Sequence, residues 1–165
     1  MLRDPHSGPV PEQAWHADAL ARERGRVQIF NATRADGLDG WTMDERQYEL
    51  MRAHILDTID EHAGDDGTVT LREIVDAAQE RFATHPLFPG GRTRNYCVYT
   101  KVDLEARCEI DRIPRSSPQR IRRHVHHDDT HGSSHSAVVS GPERRQRGPR
   151  PNAGRPRDRR RASGT

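Results

Sequence analysis

Apolar residues crowd between Val27 and Ile121, and within that stretch their spacing changes from two to three-and-four. VQIFNA, from Val27, alternates so that Val27, Ile29 and Asn31 share a face, which predicts a strand. DGLDGW then turns the chain. TMDERQYELMRAHILDTIDEH opens with Thr42 and Glu45 at capping-box spacing and puts Tyr48, Met51, Ile55 and Ile59 on one helical face. GDDG ends that helix, because glycine and aspartate favour turns and left-handed backbone. TVTLREIVDAAQERF repeats the device: Thr70 and Glu73 form a second capping box, and Leu71, Ile74, Val75, Ala78 and Phe82 form the stripe.

Two short amphipathic helices need a third to close a core. HPLFPGG reads as a loop whose Leu87 and Phe88 plug that core, with Pro89 and Gly90 fixing the turn. From Arg92 to Arg107 a helical pattern resumes, with Tyr96, Tyr99, Val102 and Ala106 expected to face inward. Glu109 to Ile113 alternates as a short strand, SSP turns, and QRIRRHV returns beside it. The predicted class is α+β, a winged helix-turn-helix-like arrangement of three helices plus a small antiparallel sheet that the strand at Val27–Asn31 could join.

The domain so drawn spans residues 26–123. Residues 1–25 are expected to be a flexible arm, although PEQAWHADALARER offers a short helix with Pro11 near its first turn and Trp15 and Leu20 as docking side chains. Residues 124–165 are expected to be a disordered tail, first His-rich and then rich in Arg, Pro and Gly. Composition agrees: 32% hydrophobic residues and a mean hydropathy of −1.02 are too polar for one core running throughout.

The formal charge of +2 hides an asymmetry. Acidic residues are frequent up to Asp111, whereas the last third is dominated by Arg, His, Gly, Pro and Ser. Lys101 is the one lysine, so the positive charge is nearly all arginine, which suits bidentate phosphate contacts. Cys97 and Cys108 fall on one predicted helix, where a rise of about 1.5 Å per residue separates them by roughly 16 Å and excludes a mutual disulfide. No apolar run resembles a signal sequence or a membrane span, which leaves a reducing cytoplasm as the expected location.

VQIFN, YELMRAHIL, LFPGG and KVDLEAR, followed by Ile110 and Arg112, together resemble a small bacterial domain family of unknown function whose members are winged-helix-like. The likeness covers roughly Arg26 to Arg122. Two positions depart from it: the family has tryptophan near Tyr96 and glycine where this chain has Cys108. Glycine there suits a helix that must end in a left-handed residue before the next strand. The resemblance implies a fold and carries over no catalytic residue.

In such a fold the third helix enters the major groove and the wing follows the backbone. The candidate nucleic-acid-binding set is therefore Arg92, Arg94, Asn95 and Lys101 on the helix, with Arg112, Arg115, Arg120, Arg122 and Arg123 near the wing. Against DNA stand Asp103 and Glu105 on the same helix and the acidic helices before it, since carboxylates oppose phosphate binding. Their expected role is surface ion pairing, Asp103 with Arg107 and Glu105 with Lys101. DNA and a protein partner, on the same scaffold used as an adaptor, remain the two expectations.

HVHHDDTHGSSH has imidazoles and carboxylates but lacks paired ligand spacing, so no metal site is expected. The tail ERRQRGPRPNAGRPRDRRRASGT can bind phosphate nonspecifically but has no aromatic residue for stacking on bases. An Arg, Pro and His mixture of this kind is also what a GC-rich gene yields out of frame. A glycine-rich phosphate loop, a nucleophile elbow and a zinc-binding HExxH helix are all missing, and no cofactor or enzymatic activity is expected.

Overall fold

The computed structural model describes residues 9–125. Expectations for residues 1–8 and 126–165, including most of the His-rich stretch and all of the Arg-rich tail, lie outside the described residues. The described part is α+β, with four helices and two small antiparallel sheets. Helix α1 (Glu12–Arg22) leads into strands β1 (Arg26–Phe30) and β2 (Leu38–Asp44). Helix α2 (Glu45–His62), strand β3 (Val69–Thr70) and helix α3 (Leu71–Arg81) follow, and then helix α4 (Thr93–Ala106) and strands β4 (Ile110–Arg112) and β5 (Arg120–Arg123).

Helices α2 and α3 are built by the local signals the sequence carries. Tyr48, Met51, Ile55 and Ile59 are buried on α2, and Ile74, Val75, Ala78 and Phe82 are buried at α3. At α3 the capping box is complete: the Thr70 hydroxyl accepts from the Glu73 amide while the Glu73 carboxylate accepts from the Thr70 amide. At α2 the cap is Asp44 instead of Thr42, its carboxylate accepting from the Arg46 and Gln47 amides. Thr42 is unavailable because it pairs with Gln28 in the β1–β2 ladder. Phe88 fills the core as the loop composition predicts, 4.6 Å from the Phe82 ring and 5.6 Å from Tyr96 between centroids. Leu87 is half-buried, and its carbonyl accepts from the Gln47 side-chain amide.

The β4–β5 hairpin forms as expected, with Asp111 opposite Arg122 and Arg112 opposite Ile121. Its third strand is β3, so the sheet order is β3-β5-β4. The strand near Val27 does not join this sheet. It pairs instead with the segment read as a turn, β2, where Val27 faces Met43 and Phe30 faces Leu38. Leu38 to Asp44 pairs as a strand because a tight loop closed by Asn31 and Asp36 side-chain hydrogen bonds brings the chain straight back.

The N-terminal segment is more than an arm. Helix α1 buries Ala14, Asp18 and Ala21, and Trp15 meets Phe30 edge-on at 4.9 Å. Leu20 points to solvent. Polar contacts fasten α1 as well: Asp18 accepts from the Gln28 amide and pairs with Arg107.

His54 is buried on α2, its Nε2–H donating to the Ile74 carbonyl at 3.2 Å and its ring packing on Phe82. Burial lowers its pKa; the Ile74 contact, Asp57 and Glu61 oppose that fall, and Arg81 adds to it. A histidine lowered on folding binds fewer protons in the folded state, so stability is complete above the unfolded value of about 6.5 and is lost as pH falls through it. The urea midpoint should therefore drop between pH 7 and 5.5, and His54→Gln should flatten that part of the profile; an unchanged profile would show that His54 is not the group.

The end of α4 explains the Cys108 departure. The Glu109 amide donates to the Leu104 carbonyl and the Cys108 amide to Glu105, a Schellman closure with Cys108 itself at φ 53. The helix end does not shift; the cysteine accepts the left-handed conformation that a Cβ disfavours by roughly 1–2 kcal/mol. Cys108→Gly is expected to raise stability by about 1 kcal/mol in urea unfolding.

Candidate functional site

Helix α4 was expected to bury one stripe, with Tyr96, Tyr99, Val102 and Ala106 inward. It is instead buried on two sides. Cys97 and Leu104 face the core shared with α2 and α3, whereas Ala106 packs with Phe30 against the α1–β1 layer. Of the expected stripe only Ala106 is fully buried, Tyr96 and Val102 are half-buried, and Tyr99 is 42% exposed.

The second burial surface takes in polar groups. Asp103 is fully buried, and its carboxylate accepts from the Phe30 amide at 2.7 Å, the Tyr48 hydroxyl at 2.6 Å and Arg107 Nε at 2.8 Å. Arg107 also donates to Asp18 and to the Gln28 carbonyl, both at 3.0 Å, and its guanidinium lies 4.0 Å from the Phe30 ring centre. Burial raises the Asp103 carboxyl, and Arg107, Tyr48 and the Phe30 amide oppose that rise. Burial works against the Arg107 charge, but Asp103, Tyr48 and Asp18 more than offset it and leave its pKa raised. The Asp103–Arg107 pair thus forms as its spacing predicts, but inside the protein, where it joins α1, β1, α2 and α4.

Lys101 is 4% exposed and pairs with Glu105 at 2.8 Å. It therefore leaves the candidate nucleic-acid set: the turn that carries it faces the packed interior. Arg92, Arg94 and Asn95 stay exposed on the first turn of α4 and make no salt bridge or side-chain hydrogen bond within the described residues.

The arginines of the β4–β5 hairpin, expected near a wing, divide. Arg123 grips Asp60 through two 2.9 Å contacts, Arg120 reaches Asp66 and Thr68, and Arg122 lies 3.5 Å from Asp111. These three are committed to the sheet's own surroundings. Arg112 and Arg115 are exposed and make no side-chain ion pair within the described residues, and Arg115 sits in the β4–β5 loop at φ 58. Helix α4, about 1.5 Å long per residue, sets its first turn roughly 20 Å from the end that leads into β4. Among the described residues, the uncommitted cations of the candidate set therefore form two groups, at the start of α4 and on the β4–β5 hairpin.

Beside the first group lies a cleft that the sequence reading did not assemble. Arg92, Asn95, Tyr96 and Tyr99 of α4 and Trp41 of β2 line an open hollow of about 370 Å³. Trp41 meets Tyr99 edge-on at 4.9 Å, and its indole N–H donates to Asp39 at 2.8 Å. Asp39 also accepts from Asn31, so its charge is engaged in holding the indole and the hairpin loop. LDGWTMD shows no clean alternation of apolar and polar residues; Trp41 and Met43, two positions apart, are the slight strand signal it carries.

Other chemistry is less developed. Burial pushes the Cys97 thiol up to about 12, which disfavours its nucleophilic thiolate form. Among the described residues, no three His, Cys, Asp or Glu side chains are grouped to hold a metal ion. No helix among them is long and apolar enough to cross a membrane.

The model of a family described as a family of unknown function (DUF6958) matches residues 26–121. No curated protein and no solved structure matches the chain.

Proposed function

The chain belongs to this DUF6958 family, and from that premise we propose that its folded domain is a non-catalytic, winged-helix-like module that binds nucleic acid, DNA first among the candidates, in the cytoplasm. The order helix, strand, helix, helix, strand, strand from α2 to β5 supports the winged-helix reading. One observation carries the binding reading: Arg92, Arg94 and Asn95 project from the start of α4 without internal ion pairs, while the carboxylate that should have opposed them, Asp103, is turned inward and paired with Arg107.

Arginine supplies phosphate contacts or guanine recognition, and asparagine pairs with adenine edges. Glu105 is partly buried about three turns along, and the buried Lys101 ammonium pairs with it. Arg112 and Arg115 add cations at the wing, where backbone contacts are made in such folds.

The test is a titration of labelled DNA with the full chain at several salt concentrations. Arg92→Ala and Arg94→Ala should each weaken binding and lower the slope of log affinity against log salt by about one. Because the C-terminal arginines are present in every variant, the comparison isolates the α4 contribution. Wild-type affinity and slope in the double variant would count decisively against this reading.

The exposed Tyr99 ring favours a second reading, a protein-binding adaptor using the same helix face. Recovery of a stable, nuclease-insensitive protein partner whose binding is lost with Tyr99→Ala would favour it.

A further inference from the structure

We propose that the hollow lined by Trp41, Tyr96 and Tyr99 receives one unpaired nucleobase against its aromatic wall, so that the protein selects nucleic acids containing an unpaired nucleotide over a continuous duplex. This rests on the nucleic-acid reading and specifies its ligand.

The first argument concerns access. A bare helix, about 10–12 Å across, just fits a major groove about 12 Å wide. Helix α4 is not bare. Thr100, Lys101, Asp103, Leu104 and Ala106 are all buried, Phe30 is hydrogen-bonded to Asp103, and Trp41 of the hairpin packs against Tyr99. The β1–β2 hairpin, through Trp41 on Tyr99, widens the element along one flank, which opposes a paired duplex following the helix along its length. Only the first turns of α4 and the cleft beside them are open.

The second argument concerns chemistry. The hollow, about 370 Å³, lies at the lower end of the range of roughly 300–1,000 Å³ that holds small molecules. Its sides are aromatic, and unpaired bases bind by stacking on such rings. The Asp39 hydrogen bond fixes the Trp41 indole before any ligand arrives, and Tyr96 is steadied from behind by Phe88. Asn95 brings an amide with donors and an acceptor to the rim, suited to a base edge. Arg92 brings an uncommitted guanidinium suited to the attached phosphate. Aromatic faces, an amide and a cation on one small hollow are together the set an unpaired nucleotide requires.

The experiment measures binding of the full chain to four labelled probes: a fully paired DNA duplex, the same duplex with one unpaired adenine, and single-stranded DNA and RNA of the same sequence. The unpaired-base duplex and at least one single strand should bind about tenfold more tightly than the paired duplex. Binding should quench the fluorescence of Trp41, a change lost in Trp41→Phe. Tyr99→Ala and Asn95→Ala, both at exposed positions, should retain wild-type circular dichroism and lose the preference. The single-strand probes decide between DNA and RNA as the source of the base.

Equal affinity for paired and unpaired probes, with Tyr99→Ala unaffected, overturns the cleft proposal and leaves the nucleic-acid reading standing. Failure to bind any probe at low salt overturns both.

Discussion

Arg107→Ala should cost about 3–5 kcal/mol of folding stability, because it leaves buried carboxylates without their countercharge. Asp103 is wholly buried and Asp18 is 4% exposed, so neither can recover its hydration without local unfolding. Asp18 keeps Arg22 at 3.2 Å, but Asp103 is left with the Tyr48 hydroxyl and the Phe30 amide alone. The guanidinium also covers the Phe30 ring, so packing is lost with the charge. Arg107→Lys should recover little: one ammonium cannot match a planar fork that reaches Asp103, Asp18 and the Gln28 carbonyl at once. Urea unfolding followed by circular dichroism measures the loss. Replacing Arg107 and Asp103 together by apolar residues should be milder than the two single costs added, since the charges disappear as a pair. A loss under about 1 kcal/mol for Arg107→Ala would mean that the network contributes little.

That network marks the boundary of what one sequence discloses. Thr70 and Glu73 cap a helix three residues apart, and Tyr48, Met51, Ile55 and Ile59 recur at helical spacing, so local geometry alone determines their roles. The β4–β5 hairpin was legible for the same reason. Asp103 was not, because its partners are the Phe30 amide and the Tyr48 hydroxyl, brought in from 73 and 55 residues away. Beside Arg107 at i+4, it carries the same local signature as a surface ion pair. The error in the inward face of α4 has one origin: a helix covered on two sides, with polar groups satisfied on the second, shows no clean stripe. Trp41 was hidden by the glycines and aspartates around it, which read as a turn although Gly37 alone makes the tight approach, at φ 73 against Val10 and Pro11. The candidate site divided along the same line. Arg92, Arg94 and Asn95 were found from their position at the start of a helix, but the aromatic wall beside them depends on the β1–β2 hairpin, whose second strand had been read as a turn.

Phe88→Ala should destabilise the domain by about 3–5 kcal/mol and disturb the candidate site as well. The ring is 2% exposed and packs against Phe82, His85 and Tyr96, with centroids 4.6, 5.6 and 5.6 Å away. Pro89 and Gly90 follow it directly and lead the chain into the first turn of α4, so the plug fixes where that helix begins. Helix α2 holds the same loop from the other side, through the Gln47 amide on the Leu87 carbonyl. Truncation opens a cavity behind Tyr96, the inner wall of the aromatic cleft, and removes the anchor that sets the positions of Arg92 and Asn95. Phe88→Leu keeps most of the volume and should recover most of the stability. It does not restore a flat ring against Tyr96. If the geometry of the cleft matters for binding, Phe88→Leu should fold with a modest loss and still bind an unpaired-base probe less tightly than the wild type. A Phe88→Leu protein that binds that probe with wild-type affinity would show that Tyr96 is held well enough by α4 alone.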